Sequence, residues 1–291
     1  MRLLVTGSHG LIGSALRGRL RAEGHDVVRI VRGRATNPDE RHWLPGESPQ
    51  AWAEADAVVH LAGARIDRRW TARVRREVWE SRVDFTRAVS EALAQLSSPP
   101  RVLLCASAIG YYGARVEPVD ERSAPGEGFV ARLAVEWERA ADPARAAGIR
   151  VLHLRLGVVL SPVGGALARM LPAFRLGLGG PFGDGRQIIS WIHFDDVLEA
   201  IMFLLRDDTA DGAFNLTAPA PVTHAEFART LGRVLRRPVV FRVPAWGLRM
   251  LLGAMAEELL LRGAPVRPAR LLERGFAFRY PALEPALRHL L

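Results

Sequence analysis

The stretch Arg2-Leu3-Leu4-Val5-Thr6-Gly7-Ser8-His9-Gly10-Leu11-Ile12-Gly13 decides how the chain begins. Its apolar run leads directly into glycines spaced Gly-x-x-Gly-x-x-Gly. Ile12, Leu16 and Leu20 then recur every four residues, which places them on one helix face. Strand, tight turn and helix in that order predict a dinucleotide-binding unit. Gly7 permits the turn, Gly10 lets a pyrophosphate approach the backbone, and Gly13 lets the helix pack on the strand. The helix N-terminus offers the phosphates unpaired N–H groups and the positive end of its dipole. Thr6, Gly7, Ser8, His9, Gly10, Leu11, Ile12 and Gly13 are therefore the predicted cofactor cradle.

Outward from this unit, residues 27–31, 57–61, 102–106, 151–159 and 214–216 read as further strands. They are continuous apolar runs rather than alternating ones, as in strands buried on both faces of a parallel sheet. Helical patterns separate them, including Val83, Val89 and Leu93. The expected fold is α/β, a doubly wound parallel Rossmann sheet with a smaller, mostly helical C-terminal domain. The division is expected at residues 1–218 and 219–291, with an interlobe loop at about 161–190 contributing to a substrate cleft. Thr223-His224-Ala225-Glu226 has the form of a helix capping box, and 239–243 reads as a short strand ended by Pro244.

Composition narrows the chemistry. All 40 basic residues are arginine, giving a net charge of +9 against 31 acids. The absence of lysine excludes Schiff-base chemistry, Walker-type phosphate loops and pyridoxal-phosphate anchoring. The arginines are scattered, and the densest stretch, 65–82, is interleaved with Asp67, Glu77 and Glu80 without grouped stacking aromatics. That distribution argues against a nucleic-acid partner. Cys105 is the single cysteine, so no intrachain disulfide or Cys-rich metal site is possible, and a reducing, cytoplasmic setting fits. The eight histidines show no paired metal-ligand spacing, so no metal is expected. No apolar run approaches the ~18 residues of a membrane span, and no membrane partner is expected.

After the second strand comes Val31-Arg32-Gly33-Arg34, and the next acid is Asp39. An acid at that strand end would hold a ribose 2′-hydroxyl, whereas an arginine attracts a 2′-phosphate. Arg32 therefore predicts NADP(H) over NAD(H).

The Gly-x-x-Gly-x-x-Gly turn resembles the short-chain dehydrogenase/reductase superfamily. His60-Leu61-Ala62-Gly63 and Ser107-Ala108-Ile109-Gly110-Tyr111-Tyr112-Gly113 resemble strand ends of its extended members. Three later stretches resemble the atypical extended, NAD-dependent epimerase/dehydratase-like group with a small C-terminal domain (nucleoside-diphosphate-sugar epimerase-like). They are Gly179–Gln187, Ser190-Trp191-Ile192-His193 and Arg267 to Pro281. The resemblance covers essentially the whole chain. It implies cofactor contacts from Leu61, Ala62 and Gly63, from Glu77 and Arg82 on one helix, and from Val159 near the nicotinamide.

The resemblance also implies a Tyr-x-x-x-Lys catalytic pair, which this chain lacks. Phe129 and Leu133 stand at the matching positions, and neither transfers protons. The catalytic candidates that remain are Ser107, for a substrate carbonyl, and Tyr111 or Tyr112 as acid/base. Arg186 and Gln187 are candidates to grip a phosphate or carboxylate, Trp191 to stack on a planar or sugar group, and His193 to touch substrate. The expected function is NADP-dependent hydride transfer, of oxidoreductase or epimerase type, on a carbonyl or sugar-nucleotide-like small molecule. The alternative is a catalytically reduced NADP-binding sensor or assembly protein.

Overall fold

The computed structural model describes residues 1–291. Its centre is a seven-stranded, wholly parallel sheet in the order β3-β2-β1-β4-β5-β6-β10. The strands are β1 (Arg2–Thr6), β2 (Asp26–Val31), β3 (Glu40–His42), β4 (Ala57–His60), β5 (Val102–Ala108), β6 (Arg150–Leu156) and β10 (Gly212–Leu216). Strand order reverses between β1 and β4, so the crevice at their carboxyl ends is where ligands bind in open α/β sheets.

The apolar runs fill both faces. Leu3 and Val5 of β1 join one core with Leu16 and Leu20 of α1 (Leu11–Ala22) and Ile201 of α7 (Phe194–Arg206). Leu4 points the other way, into a second core with Val89 and Leu93 of α3 (Phe85–Ala94) and Ala144 of α5 (Asp142–Ala146). Such period-two alternation, apolar at every position, is what a sheet covered by helices on both sides requires. The remaining crossovers are carried by α2 (Ala72–Trp79) and α4 (Phe129–Arg139), with a π-helical turn, Glu80–Asp84, joining α2 to α3.

The expected strand 151–159 is broken. Beyond β6 the chain turns at Gly157, where a Cβ would lie 2.7 Å from the Ser190 carbonyl oxygen. It resumes as β7 (Val158–Leu160), which leaves the main sheet to pair with β9 (Trp191–His193). A second small ladder joins β8 (Ile188–Ile189) to β11 (Val222–Thr223). Leu171 of α6 (Gly165–Arg175), Leu231 of α8 (His224–Leu235) and Leu287 of α11 (Leu283–Leu290) close a third core. The Thr223 hydroxyl caps α8, accepting from the Glu226 amide at 3.1 Å.

Residues 239–243 do not form the expected strand. Pro238 and Pro244 bracket them and supply no N–H donors, and a single bridge ties Val243 to Phe182. The helical C-terminal part continues through α9 (Ala245–Leu252) and α10 (Ala269–Glu273). No helix is long and apolar enough to cross a membrane.

Candidate functional site

The glycine-rich turn has the geometry its spacing predicts. Gly7 lies at φ 66°, a left-handed conformation that glycine adopts without strain. A Cβ there would also lie 2.6 Å from the Leu61 carbonyl carbon, so the turn is pressed against the end of β4. A Cβ on Gly13 would meet the Gly7 carbonyl oxygen at 2.3 Å, so the first turn of α1 sits directly on the loop. No side chain caps α1 at its N-cap, Gly10, and the first amide in the ladder is that of Ser14, donating to the Gly10 carbonyl at 3.0 Å. The amides of Leu11, Ile12 and Gly13 precede it and are left for a ligand. Ser8 is buried and its Oγ has no hydrogen-bond partner. Uncapped amides and an orphaned hydroxyl together fit an anionic group.

A cleft of about 660 Å³ opens over this turn. His9, Gly10 and Leu11 form one wall, and Gly164, Gly165 and Arg169 at the start of α6 form the other. Asp67 reaches across it. Its carboxylate accepts from Arg169 at 2.7 Å and from Arg65 at 3.2 Å.

Within β2, Arg29 is buried. It pairs with Asp39 at 2.7 Å and Glu40 at 2.9 Å, and it donates to His9 Nε2 at 3.2 Å. Hydrogen bonds from Arg29 and Arg21 hold the Asp39 carboxyl far below its ordinary range, against the opposing effect of burial. The first acid after β2 is thus neutralised within the protein. Arg32 and Arg34 stand exposed on the intervening loop, paired with no carboxylate.

Beneath the β4 end, a polar ladder fixes the next loop. The Ala62 amide donates to Thr6 Oγ1 at 3.2 Å, and His60 lies between Thr6 Oγ1 (2.8 Å) and Thr86 Oγ1 (3.0 Å). Full burial lowers the His60 pKa to about 4, which keeps the ring neutral. Trp137 Nε1 also donates to Thr86, at 3.0 Å. Arg82 lies over the Trp137 ring, 5.2 Å from its centroid, and donates to the Ala64 carbonyl at 3.0 Å. No carboxylate meets it, and desolvation lowers its pKa to about 10. Arg82 lies in the π-helical turn, whereas Glu77 is exposed on α2 and paired with Arg68 at 2.5 Å. Leu61 and Ala62 are half-buried, Gly63 is exposed beside the Arg82 guanidinium, and Val159 is half-buried on β7.

The catalytic candidates fall into one buried network. Ser107 and Arg155 are register partners on β5 and β6, and both reach Glu138 on α4. Ser107 Oγ donates to Glu138 at 2.7 Å, and Arg155 clamps the same carboxylate with two bonds of 2.7 and 2.8 Å. Burial pushes the Glu138 pKa up, but the Arg155 bonds, His153 and Ser107 outweigh it, and the net shift is downward. Arg155 also donates to the Tyr112 hydroxyl at 2.8 Å, and Tyr112 donates onward to Asn215 Oδ1 at 2.8 Å.

This corrects the expectation for Tyr112. It is fully buried, both its hydroxyl bonds are made within the protein, and burial pushes its pKa up to about 12. Ser107, likewise buried, has its hydroxyl committed to Glu138. Tyr111 differs: its ring lies on the Arg155 guanidinium at 3.5 Å, and its hydroxyl has no partner. Phe129 is packed edge-on to Trp70 at 5.3 Å in an apolar cluster with Met255 and Leu260, and Leu133 is in the core.

Three substrate-side expectations are also corrected. Trp191 is fully buried in the third core, with Nε1 donating to the Ala220 carbonyl at 3.1 Å, so it forms no stacking wall. His193 is fully buried and caps α7, its Nδ1 accepting from the Asp195 amide at 3.0 Å. Its Nε2–H therefore faces His289 Nδ1, 3.1 Å away, while Tyr280 stacks on the ring at 3.9 Å. Ligand atoms of His193, Asp195 and His289 lie within 4.8 Å of one another, yet both His193 nitrogens are engaged. Gln187 ties two segments, donating to the carbonyls of Phe182 (3.1 Å) and Leu260 (3.0 Å). Arg186 remains exposed and unpaired.

Sequence reading missed Glu138, Arg155 and the Arg29–Asp39–Glu40 cluster. The available signal was Arg29, His153 and Arg155 interrupting runs that are otherwise apolar on both faces. A charge in such a strand needs a buried partner.

Residues 3–217 match the model of the NAD dependent epimerase/dehydratase family. The chain belongs to that family. Residues 243–290 match a second model, Domain of unknown function (DUF1731). The chain is 44% identical over 288 residues to Epimerase family protein Mb2239 of Mycobacterium bovis, covering 97% of this chain and 95% of that protein. Among solved structures it is similar to human epimerase family protein SDR39U1 (isoform2), determined with NADPH. That similarity has a TM-score of 0.91 at 34% identity and covers 100% of this chain and 99% of the other. MoeE5, solved with UDP-glucuronic acid and NAD, has a TM-score of 0.78 at 23% identity, covers 99% of this chain and 96% of its own, and shares the fold alone.

Proposed function

We propose that this family member binds NADP(H) and supports hydride transfer at a carbonyl or carbinol carbon of a small molecule of nucleotide-sugar type. The carrying observation is the pair of free arginines, Arg32 and Arg34, at the end of β2, where the first acid, Asp39, is already consumed by Arg29 and Arg21. The α1 amides and Ser8 would hold the diphosphate, and Arg32 the 2′-phosphate. Leu61, Ala62, Gly63 and Val159 would line the cleft, and Glu77 and Arg82 would reach the cofactor from the α2 side. The bound nicotinamide would supply or accept the hydride. Arg186 would meet substrate charge. Segment 161–190, expected as a loop, instead folds into α6 and β8, and with residues 219–291 it would form the substrate side of a cytoplasmic protein.

Calorimetric titration tests the cofactor choice. NADPH is expected to bind more tightly than NADH, and Arg32→Ala to remove about tenfold or more of that difference. Equal affinities in the unaltered protein would contradict the assignment.

Tyr111 is the proposed proton donor and acceptor, because it is the remaining tyrosine candidate with an uncommitted hydroxyl. Tyr111→Phe is expected to lower turnover by about 10²–10⁴-fold while leaving NADPH affinity unchanged. The second reading, a binding protein without turnover, is favoured by one observation: Phe129 and Leu133 are packed into apolar clusters. It predicts that no carbonyl or nucleotide-sugar substrate is turned over, with or without Tyr111.

A further inference from the structure

Thirteen large apolar side chains are exposed, and seven of them fall in two segments that lie side by side. Leu176 and Leu178 follow α6. Val240 and Phe241 run alongside, held there because the Val243 amide donates to the Pro181 carbonyl and the Gly183 amide to the Val243 carbonyl, each at 2.9 Å. Pro238 packs against Gly177 at the other end. Beyond Pro244, α9 adds Trp246, Met250 and Leu251, each about two-thirds exposed, and its one buried residue is Leu248. Trp246 and Met250, four apart, form one stripe. An apolar surface of this kind on a soluble fold marks an interaction site.

The charge around it says what it meets. Residues 227–256 hold six arginines and no aspartate or glutamate. Arg233 and Arg249 are paired, with Glu284 and Glu257. Arg236, Arg237 and Arg242 are exposed with no carboxylate, as is Arg175 at the end of α6. A second copy of the chain docked by a twofold axis would bring this arginine-rich stretch, which has no acid of its own, against itself, and like charges in an interface repel. Exposed tryptophan and phenylalanine flanked by arginine instead match the boundary between lipid headgroups and acyl chains.

We propose that this face docks on the surface of an anionic phospholipid bilayer. Trp246, Met250, Leu251 and Phe241 enter the headgroup boundary, and Arg236, Arg237 and Arg242 meet lipid phosphates. The eight-residue α9 is about 12 Å long and lies along the surface rather than through it. The lack of a membrane-spanning helix, from which no membrane partner is expected, does not bear on surface docking.

Flotation of the full chain tests it, with vesicles of phosphatidylcholine alone and of equal parts phosphatidylcholine and phosphatidylglycerol. Binding is expected to the anionic vesicles and not to the neutral ones, and to weaken as salt is raised. The variants Trp246→Ser/Met250→Ser and Arg237→Glu/Arg242→Glu should each lower partitioning by about tenfold or more, with circular dichroism and NADPH affinity unchanged. Failure to bind anionic vesicles, or binding indifferent to both variants, would overturn the proposal. A lipid-free dimer in sedimentation that the same variants dissolve would overturn it in favour of a second copy.

Discussion

Replacing Arg155 by methionine is expected to destabilise the protein by about 3–5 kcal/mol, because it leaves a buried carboxylate without its cation. Glu138 would lose both arms of the clamp, and the Tyr112 hydroxyl would lose its donor in the same change. For a chain of this size that corresponds to a fall of roughly 10 °C in thermal midpoint. Glu138→Leu in the Arg155→Met background should recover part of the loss, since removing both charges avoids the unpaired carboxylate.

The pH dependence has a definite sign. The folded Glu138 pKa lies below its unfolded value, so its contribution is present above the unfolded carboxylate range and lost as pH falls through the folded pKa. In Arg155→Met the unpaired Glu138 takes up a proton more readily. The gap between the two proteins should therefore be widest near neutrality and narrow toward pH ~4. Chemical denaturation across that range measures it; a gap that stays constant would mean that Glu138 is not the charge involved.

Gly10→Ala is expected to lower NADPH affinity by about 100-fold with little change in stability. Gly10 has ordinary extended backbone angles, φ −74° and ψ 170°, so alanine brings no conformational strain. The nearest atom to its new Cβ is the Gly7 carbonyl oxygen at 3.1 Å, a contact that a small shift relieves. What the methyl group does obstruct is the open side of the turn, where a diphosphate must come close to the α1 amides. Gly13→Ala should behave differently. Its Cβ would sit 2.3 Å from the Gly7 carbonyl oxygen, so α1 must move off the loop, and both stability and affinity should fall. The contrast separates a ligand-facing glycine from a packing glycine. If Gly10→Ala left NADPH affinity intact, the turn would be serving structure only.

The sheet and the turn were legible in the sequence because both are local patterns. Continuous apolar runs reveal double-sided burial, and three glycines spanning the strand-to-helix turn, the last inside the first turn of α1, mark a close strand–helix approach. Elements that depend on partners far along the chain were less legible. The apparent strand 151–159 bends at Gly157 because Ser190 and Thr217 close in on it, and neither contact is visible from the run itself. Residues 239–243 have strand-like composition, but flanking prolines leave them a single bridge. The site divides in the same way. Arg32 directly follows the apolar run of β2, a local feature, whereas the commitment of Ser107 and Tyr112 to Glu138, Arg155 and Asn215 needs the sheet assembled. Trp191 and His193 lie in a motif that resembles a substrate contact, yet core packing and helix capping occupy them.

A crystal structure of the complex with NADPH is decisive. The diphosphate is expected against the amides of Leu11, Ile12 and Gly13, the Ser8 hydroxyl turned toward it, and the 2′-phosphate beside Arg32. Coenzyme bound elsewhere, or a turn left empty at saturating NADPH, would contradict that placement.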